Sequence, residues 1–435
     1  MNIYSYEAAF NRADITTAAM RKAIEQWFSL YYGANADAQM DSCQRIGYTV
    51  VNKLNKTVFG EYRATADDAQ TNALLQALEQ VRKQAFGQAM VGGECYLKPY
   101  PEKNGFRFTL IPRNHMLIFG RTADGTPTDV GTVEVCAQDN QYYTLLERRQ
   151  MDGNGYLTIE NRLYRSGSSQ SLGSPVPLTD CPQYAHLMER YTYTKPIHSV
   201  GLVRLKTPMV NCVDGSADGV SIYGAAAGLI ENIDRNEAQM NGEFSRGQSR
   251  ILASADLLRS TAGGGKELTD HLFVGLDEDP EQVGITIFSP QLREDAYLAR
   301  KQEYLRNVES IIGLRRGMLS DANVEERTAT EIASSVSDFQ LTVLELQQMW
   351  TDAVKQTVQL CAKLAQLYRL PVPQTDRLCI DWGNGVLYDE EKIMQSNLAL
   401  VQAGLLKPEL ALGWRFGLEV ETPEQIEAVR RKFMP

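Results

Sequence analysis

Residues 290–369 read PQLREDAYLARKQEYLRNVESIIGLRRGMLSDANVEERTATEIASSVSDFQLTVLELQQMWTDAVKQTVQLCAKLAQLYR, and this stretch decides the predicted fold. Two helical patterns in it flank a polar connection. The first pattern begins at Pro290. At the first position of a helix a backbone N–H has no partner within the helix, so a proline, which lacks this N–H, is well tolerated there. Apolar residues then recur at helical spacing until Gly313, a residue type that commonly ends helices. We predict a helix over residues 290–312.

The second pattern predicts a much longer helix over residues 328–370. Thr328 and Glu331 have the spacing of a capping box, and apolar side chains then recur at steps of three and four residues. The first half of this packing stripe consists of Ile332, Val336, Phe339, Val343, Leu346 and Trp350. At about 1.5 Å per residue the helix is roughly 60 Å long, which favours packing against copies of itself or a partner over an ordinary core helix. Asp338 and Glu345 interrupt its apolar residues, so it is no membrane span.

The connection between the two helices, residues 313–327, is long for a structureless loop inside a compact domain. It consists of Gly313, Leu314, Arg315, Arg316, Gly317, Met318, Leu319, Ser320, Asp321, Ala322, Asn323, Val324, Glu325, Glu326 and Arg327. Its three arginines and three acidic residues cancel in formal charge. Consider such a loop placed around DNA in about twelve copies. If each copy held one phosphate in a fixed contact, the DNA would be clamped. Arginines that pair with neighbouring acids would instead make contacts that form and break. A solvated surface loop explains the same sequence equally well.

Composition indicates an ordinary globular protein of two to three domains. The chain has 435 residues, of which 43% are hydrophobic and 23% charged. Its seven cysteines form no C-x-x-C pair, which favours reduced thiols in a cytosolic compartment. The net charge of −10 argues against a broad nucleic-acid-binding surface, so contact with DNA must be local or weak. The first residues show no export signal.

The remaining patterns predict an α+β fold. Asp14 is expected to cap a first helix that ends at Gly33. The other predicted elements are helices over 46–60 and 68–90, strands over 95–98, 106–111, 116–119 and 132–136, a hairpin about residues 152–155, a helix over 221–246, strands over 251–253 and 285–288, a strand over 378–382, and helices over 390–403 and 423–432.

No pattern in the sequence predicts catalysis, a metal or a cofactor. Gly263, Gly264, Gly265 and Lys266 invite a phosphate-binding interpretation, but their spacing differs from G-x-x-x-x-G-K-[ST] and Glu267 follows the lysine. The four histidines lie far apart, without the spacing of metal ligands. No nucleophile motif is present. We therefore predict a protein that is not an enzyme, since a nucleotide-dependent enzyme would need residues that these patterns lack.

Short motifs spread over most of the chain carry a family likeness. They are Gly92-Gly93-Glu94 with the strand after it, Ile111-Pro112-Arg113, residues 143–147 followed by 159–166, residues 218–223 opening a helix, residues 233–234 and 250–252, and residues 327–332 opening the long helix. Each motif alone is degenerate, and their order is what is specific. Together they resemble the portal proteins of tailed bacteriophages, the head-to-tail connectors through which DNA is packaged.

That resemblance implies a division of the chain into the parts of a portal subunit. These are a wing of helices and then β-structure (1–220), two stem helices (221–246 and 290–312), a small β clip (247–289), a tunnel loop (313–327), a very long helix crossing to the wing (328–370), and a wing strand with a short helical crown (371–435). In the clip, the residues expected to dock the packaging motor and adaptors are Gly263, Gly264, Gly265, Lys266 and Glu267. The chain departs from the family in its short C-terminal part, which implies a small crown.

The resemblance also implies a function without catalysis. The subunit would assemble into a homo-oligomeric ring, typically a dodecamer, at one capsid vertex of the virion. During assembly it would lie in the host cytoplasm. Double-stranded DNA would pass through it during packaging and ejection, without sequence-specific contacts. Further expected partners are the packaging terminase, a head-tail adaptor, and capsid and scaffold proteins. No association with a membrane is expected. The alternative hypothesis is a helical scaffold or other virion structural protein with no DNA channel.

Overall fold

The structure is a computed structural model that describes most of the chain. The described residues are 3–33, 42–102, 105–247, 250–253, 258–260, 266–268, 285–288, 291–321, 329–374, 378–383, 390–416, 418, 420 and 422–433. They are 48% helical and 22% strand. This mixture confirms the predicted α+β class.

The N-terminal part is helical, as expected. Its helices are α1 (Ile3–Phe10), α2 (Ala18–Tyr32), α3 (Ile46–Val58) and α4 (Ala69–Gly92). The predicted cap at Asp14 is wrong, because the Thr17 side chain caps α2 by accepting a hydrogen bond from the Met20 amide at 3.1 Å. The Asp14 carboxylate instead accepts from the amides of Thr16 and Ile118. It therefore ties the approach to α2 to a strand of the neighbouring sheet.

Antiparallel β-structure follows α4. The strands up to residue 206 are β1 (Arg63–Ala66), β2 (Glu94–Glu102), β3 (Gly105–Pro112), β4 (Met116–Arg121), β5 (Pro127–Gln138), β6 (Gln141–Met151), β7 (Leu157–Ser166), β8 (Ser174–Val176), β9 (Arg190–Thr192) and β10 (Val203–Lys206). Among the described residues one sheet has the order β10-β2-β3, and a larger one the order β4-β5-β6-β7-β8 with β9 also on β7. The predicted hairpin is confirmed, since the Asp152 amide donates to the Tyr156 carbonyl at 3.0 Å between β6 and β7.

The helix predicted over residues 221–246 begins later than expected. The helix α5 spans Ala227–Arg246, after a 3₁₀ turn at Gly224–Ala226, whereas the sequence predicted a start at residue 221. The Ser221 hydroxyl and the Ile222 amide both donate to the Met90 carbonyl, at 3.0 and 2.9 Å. These bonds hold the segment against the end of α4, so the chain enters the helix only after it.

The second stem helix also begins later than the sequence predicted. The helix α6 spans Glu294–Ile312, not 290–312. The Arg293 amide donates to Glu243 Oε1 at 3.0 Å and its guanidinium to Glu243 Oε2 at 2.7 Å, so Arg293 binds α5 rather than continuing a helix. The acidic pair Glu294 and Asp295 then occupies the first turn, where the helix dipole favours negative charge. The helices α5 and α6 pack antiparallel, with Lys301 Nζ 2.9 Å from Glu237 Oε2.

Between the stem helices the structure describes two pairs of short strands. The strand β11 (Arg250–Ala253) pairs antiparallel with β14 (Ile285–Phe288), and β12 (Leu258–Ser260) pairs antiparallel with β13 (Lys266–Leu268). The strands predicted at 251–253 and 285–288 are thus confirmed.

The helix α7 (Ala329–Tyr368) has 40 residues and is therefore about 60 Å long. It confirms the predicted long helix. Its start lies one residue after Thr328, although the capping-box side chains lie outside the described residues. The largest hydrophobic core gathers buried side chains from α2, α3, α4, β2, β10, α5, α6 and α7. Trp350, which is 1% exposed, lies in this core.

The C-terminal part returns to the N-terminal helices and then forms helices of its own. The strand β15 (Leu378–Asp381) was predicted, and it pairs antiparallel with β1, which was not. The helices that follow are α8 (Glu390–Gln402), α9 (Pro408–Phe416) and α10 (Pro423–Phe433). The unpredicted α9 packs on α10, with Arg430 2.6 Å from Glu409.

Candidate functional site

The connection predicted between α6 and α7 begins at Gly313, and the structure shows why a glycine is there. Its φ of 76° is left-handed, and its N–H donates to the Glu309 carbonyl, as in a helix C-cap. A Cβ added to Gly313 would lie 2.5 Å from Thr342 Oγ1 on α7. The Thr342 hydroxyl donates to the Gly313 carbonyl at 3.3 Å. The connection therefore starts in close contact with the long helix.

The next residues fold around the carboxylate of Glu309. This side chain is fully buried and accepts hydrogen bonds from the amides of Gly317, Leu319 and Ser320 and from the Ser320 hydroxyl. The distances from Ser320 to the carboxylate are 2.9 Å for the amide and 2.8 Å for the hydroxyl. A carboxylate bonded to several backbone amides is a strong anchor. The chain thus turns about Glu309 instead of extending away from α6.

Apolar burial holds the same turn from the other side. Leu314 is buried, and Met318 and Leu319 pack partly buried against the main core. Lys53 of α3 donates from Nζ to the Met318 carbonyl. Arg315 and Arg316 are exposed. The structure therefore presents these two arginines on the outer side of a turn whose inner side is fixed.

The predicted loop is therefore corrected for its first nine residues. Residues 313–321 form an ordered turn packed on their own subunit, not a structureless connection, because Glu309 and Leu314 hold them. The Asp321 amide ends the turn by donating to Gln302 Oε1 at 2.8 Å. The other predicted loop residues, Ala322, Asn323, Val324, Glu325, Glu326 and Arg327, lie outside the described residues.

The predicted docking residues of the clip fall at a strand connection. Lys266 and Glu267 lie in β13, opposite Ser260 and Arg259 of β12. Gly263, Gly264 and Gly265 belong to the segment 261–265 that joins these strands, and this segment lies outside the described residues. The strand pairing brings the two ends of the glycine segment together.

The packing stripe of α7 serves its own subunit over the part that the structure describes. Val343, Leu346 and Trp350 are buried in the main core, and Phe339 is half-buried against it. The side chains of Ile332 and Val336 lie outside the described residues. The expectation that this stripe packs against copies of the chain is wrong for its described part, because α3, α4 and β10 cover it.

Another set of apolar side chains is left exposed where α6 ends beside α7. Leu341 and Leu344 of α7 are 56% and 46% exposed, and Ile311 of α6 is 47% exposed. Single exposed apolar residues are common on protein surfaces. Here, however, the bond from Thr342 to Gly313 places the end of α6 at the same level of α7. These three residues are called the junction set below.

The motifs at Glu94, Arg113 and Asp218 meet in one buried cluster. Arg113 donates to Asp218 Oδ1 at 2.9 Å and lies 4.0 Å from Glu94 Oε2, and Arg204 pairs with Glu94. The Gly219 amide donates to Glu94 Oε1 at 2.6 Å. The cluster joins the α4–β2 turn, the β3–β4 connection and the segment that leads into α5. It fixes the start of α5 to the β-rich part of the chain.

Electrostatics keep the carboxylate of Glu94 ionised in this cluster. Burial alone would raise the pKa of the Glu94 carboxyl, but the charges of Arg204 and Arg113 outweigh burial and lower that pKa from 4.5 to about 2. A second buried carboxylate, Glu147, lies 2.6 Å from both Lys98 Nζ and Arg149 Nε. Burial again opposes the charge, and the two cations lower its pKa to about 2. Both groups are held as carboxylates at neutral pH and are poorly suited to donate protons.

Sequence reasoning missed Glu309 and Lys53, although one signal pointed to Glu309. A carboxylate in the last turn of a helix opposes the helix dipole. Such a residue before a predicted loop therefore indicates a specific partner in that loop. No comparable signal marks Lys53, because its partner is a backbone carbonyl 265 residues away in the chain.

Searches for other kinds of site add little among the described residues. There, no group of three or more His, Cys, Asp or Glu side chains is placed to hold a metal ion. None of the described helices combines the length and apolarity needed to cross a bilayer.

Comparison with known proteins identifies a family. The model of a protein family described as phage portal protein, SPP1 Gp6-like, matches residues 48–432. No curated protein matches the chain. The matched region contains the buried Glu94 cluster, α5, α6, the turn about Glu309 and α7.

Proposed function

The chain belongs to the phage portal protein family, whose members form the ring channel for DNA packaging at a capsid vertex, and on that premise we propose that residues 313–327 are the tunnel loop of this channel. The observation that carries the proposal is the turn about Glu309. It fixes Leu314 inward and leaves Arg315 and Arg316 exposed, so identical copies in a ring would carry arginines at one level.

The remaining parts take their proposed roles from this placement. Residues 1–220 form the wing, α5 and α6 the stem, 247–289 the clip, α7 the crossing to the wing, and 371–435 a wing strand and a short crown. The buried Glu94 cluster supports the boundary near residue 220, because it lies where the β-rich part meets α5. The clip, with its paired short strands, docks the packaging terminase and later the head-tail adaptor.

The ring itself is proposed to contain twelve subunits and to close head to tail. Each subunit then needs two different complementary surfaces. The junction set, Ile311, Leu341 and Leu344, provides an apolar part of one of them. Capsid and scaffold proteins are the further partners, and assembly takes place in the host cytoplasm before the ring is enclosed in the virion. The subunit has no catalytic activity of its own.

Weak contact with DNA is a requirement of the proposed channel. If about twelve arginines each held one phosphate, the logarithm of the binding constant would fall with the logarithm of the salt concentration with a slope of about −0.9 per contact. Binding of that strength would clamp the DNA. A net charge of −10 per subunit opposes such binding. The loop arginines therefore contact passing double-stranded DNA briefly and without sequence preference.

The test is the double variant Arg315→Ala with Arg316→Ala. We expect packaged DNA per particle to change several-fold while purified rings keep their mass and central hole in negative-stain images. The matched control is Arg190→Ala, an arginine of β9 whose side chain is 71% exposed, which should alter neither. Loss of rings in the double variant, or unchanged packaging, would contradict the placement of this loop in the channel.

A further inference from the structure

Two cysteine side chains touch inside the β-rich part of the chain. Cys136 lies in β5, and Cys181 directly follows a 3₁₀ turn at Leu178–Asp180. Their sulfur atoms are 3.8 Å apart although the residues are 45 positions apart in sequence. Both are free thiols. Neither residue belongs to the tunnel loop, the stem or the clip, so the proposed function does not explain their contact.

The fold holds the two sulfurs together. Cys181 is fully buried in a small core with Leu178 and Tyr184, against which Cys136 packs half-buried. The Tyr184 amide donates to the Cys181 carbonyl at 2.9 Å, and the Tyr184 hydroxyl donates to Glu134 Oε1 at 3.0 Å. These bonds anchor the turn that carries Cys181 to β5, the strand that carries Cys136. The two sulfurs, 3.8 Å apart, must approach to about 2.05 Å to form a covalent bond.

We propose that Cys136 and Cys181 are a modification site, which forms an intramolecular disulfide after the particle leaves the reducing host cytoplasm. This inference rests on the location of the chain in the virion. Disulfides persist on released particles but not in the cytosol, where thiols are kept reduced. The bond would fasten the 178–184 segment to the large sheet in the particle that must hold its DNA.

The oxidant is a low-molecular-weight disulfide such as oxidised glutathione. The thiolate of the more accessible Cys136 attacks one sulfur of that disulfide and releases one small thiolate, which leaves a mixed disulfide. The Cys181 thiolate then attacks Cys136 Sγ, closes the protein disulfide and releases the second small thiolate. The two protein thiols lose two protons and two electrons, and the small disulfide becomes two thiols.

The surroundings make the reaction slow. Burial, with the hydrogen bond to Cys181 adding to it, raises the pKa of the Cys136 thiol, which lowers the thiolate fraction at neutral pH. A smaller thiolate fraction slows the first exchange step, and the reducing cytoplasm keeps the two thiols reduced during assembly.

The experiment uses purified rings of the full chain incubated with oxidised glutathione, then blocked with iodoacetamide in denaturant and mapped by mass spectrometry without reduction. We expect one linked peptide pair that contains Cys136 and Cys181 and lacks the mass of two hydrogen atoms. The melting midpoint of the oxidised chain should rise by about 5 °C. Alkylation of both cysteines, or a separate glutathione on each, would overturn the proposal.

Variants separate this bond from other thiol chemistry. Cys181→Ala should trap Cys136 as a glutathione adduct, and Cys136→Ala should abolish the rise in melting midpoint. Should either variant not fold, the other still reports the loss of the linked peptide. The control Cys212→Ser removes an exposed thiol elsewhere and should leave the linked peptide unchanged.

A second arm tests the location. Released particles are blocked before lysis and compared with the same chain taken from infected cells before release. Linked peptides in particles alone support the proposal, and free thiols in released particles overturn it. Absence of the chain from particles would instead contradict the portal assignment, while the result with purified rings would still stand.

Discussion

Glu94 illustrates how single residues hold this subunit together. Its carboxylate is fully buried, accepts from the Gly219 amide and the Tyr96 hydroxyl, and pairs with Arg204. Gly93, directly before it, has a φ of 78°, and a Cβ there would lie 2.3 Å from the Gly219 backbone. The backbones at Gly93 and Gly219 thus approach closely. This approach brings the Gly219 amide within hydrogen-bond distance of the Glu94 carboxylate.

Replacing this carboxylate should be costly. We expect Glu94→Gln to destabilise the subunit by about 3–5 kcal/mol, because it leaves the Arg204 guanidinium without its carboxylate partner and leaves Arg113 with Asp218 alone. The measurement is the urea midpoint at fixed protein concentration. The control is Glu102→Gln, an exposed carboxylate 2.8 Å from Arg107, where little change is expected. Equal midpoints for the two variants would contradict the structural role of the cluster.

Acid should weaken the fold through Glu94 and Glu147. Their folded pKa values of about 2 lie below the ordinary 4.5, so the stability they supply is complete above about pH 4.5 and is lost as the pH falls towards 2. Each contributes about 3 kcal/mol at neutral pH. We expect the urea midpoint to fall over this range, and the double variant Glu94→Gln with Glu147→Gln to show a flatter profile. A double variant that retains the full slope would assign the acid sensitivity to other carboxylates.

At the residue level the sequence predicted which segments matter but not how they meet. The motifs containing Glu94, Arg113 and Asp218 were selected by their order along the chain. Their contact depends on the α4–β2 turn and on strand pairing, which are long-range. The cap at Asp14 was misplaced for a related reason, since that carboxylate bonds to Ile118 of β4 rather than to the helix beside it.

At the scale of elements, the turn about Glu309 joins stem and loop into one unit. The carboxylate belongs to the last turn of α6, and its partners Gly317, Leu319 and Ser320 belong to the connection that follows. A shift of α6 would therefore carry the exposed arginines with it. In the proposed channel, the position of the loop would follow the position of the stem.

This coupling can be measured by hydrogen exchange. We expect Glu309→Gln to speed exchange of the Leu319 and Ser320 amides by at least about tenfold, because a charged acceptor of several bonds is lost. Exchange in the middle of α6 should not change. The matched control is Glu303→Gln on the same helix, whose side chain is 62% exposed. Unchanged protection at Ser320 in the Glu309 variant would show that apolar burial of Leu314 alone holds the turn.

Sequence patterns located the longest and most strongly periodic element accurately. The ends of α7 were predicted to within two residues. The apolar residues at helical spacing and the capping-box spacing of Thr328 and Glu331 both indicated the same helix. β1 was missed because its four residues, Arg63–Ala66, form a short stretch whose only apolar side chains are alanines, and the strand is defined by its pairing with β15. The late start of α6 depends on Arg293 bonding to Glu243, a contact between two helices that local signals at Pro290 do not contain.

At the scale of the whole molecule, one subunit already buries most of the apolar surface that the sequence assigned to neighbours. Val343, Leu346 and Trp350 are covered within the chain, so they cannot form the ring contact. What remains exposed at the α6–α7 junction is Leu341, Leu344 and Ile311. A ring built head to tail repeats every contact once per subunit, and a defect in one surface therefore weakens all interfaces together.

The junction set gives the sharpest test of ring formation. We expect Leu341→Asp with Leu344→Asp to leave the subunit folded, since both side chains are already exposed, but to prevent ring closure, because each interface would bury unpaired charges. Mass photometry should show single subunits in place of rings, and circular dichroism should show an unchanged helical spectrum at 25 °C with cooperative melting. The control Gln359→Asp places a charge on an exposed position farther along α7 and should still form rings. Rings of normal mass from the double variant would show that the subunits meet through another surface.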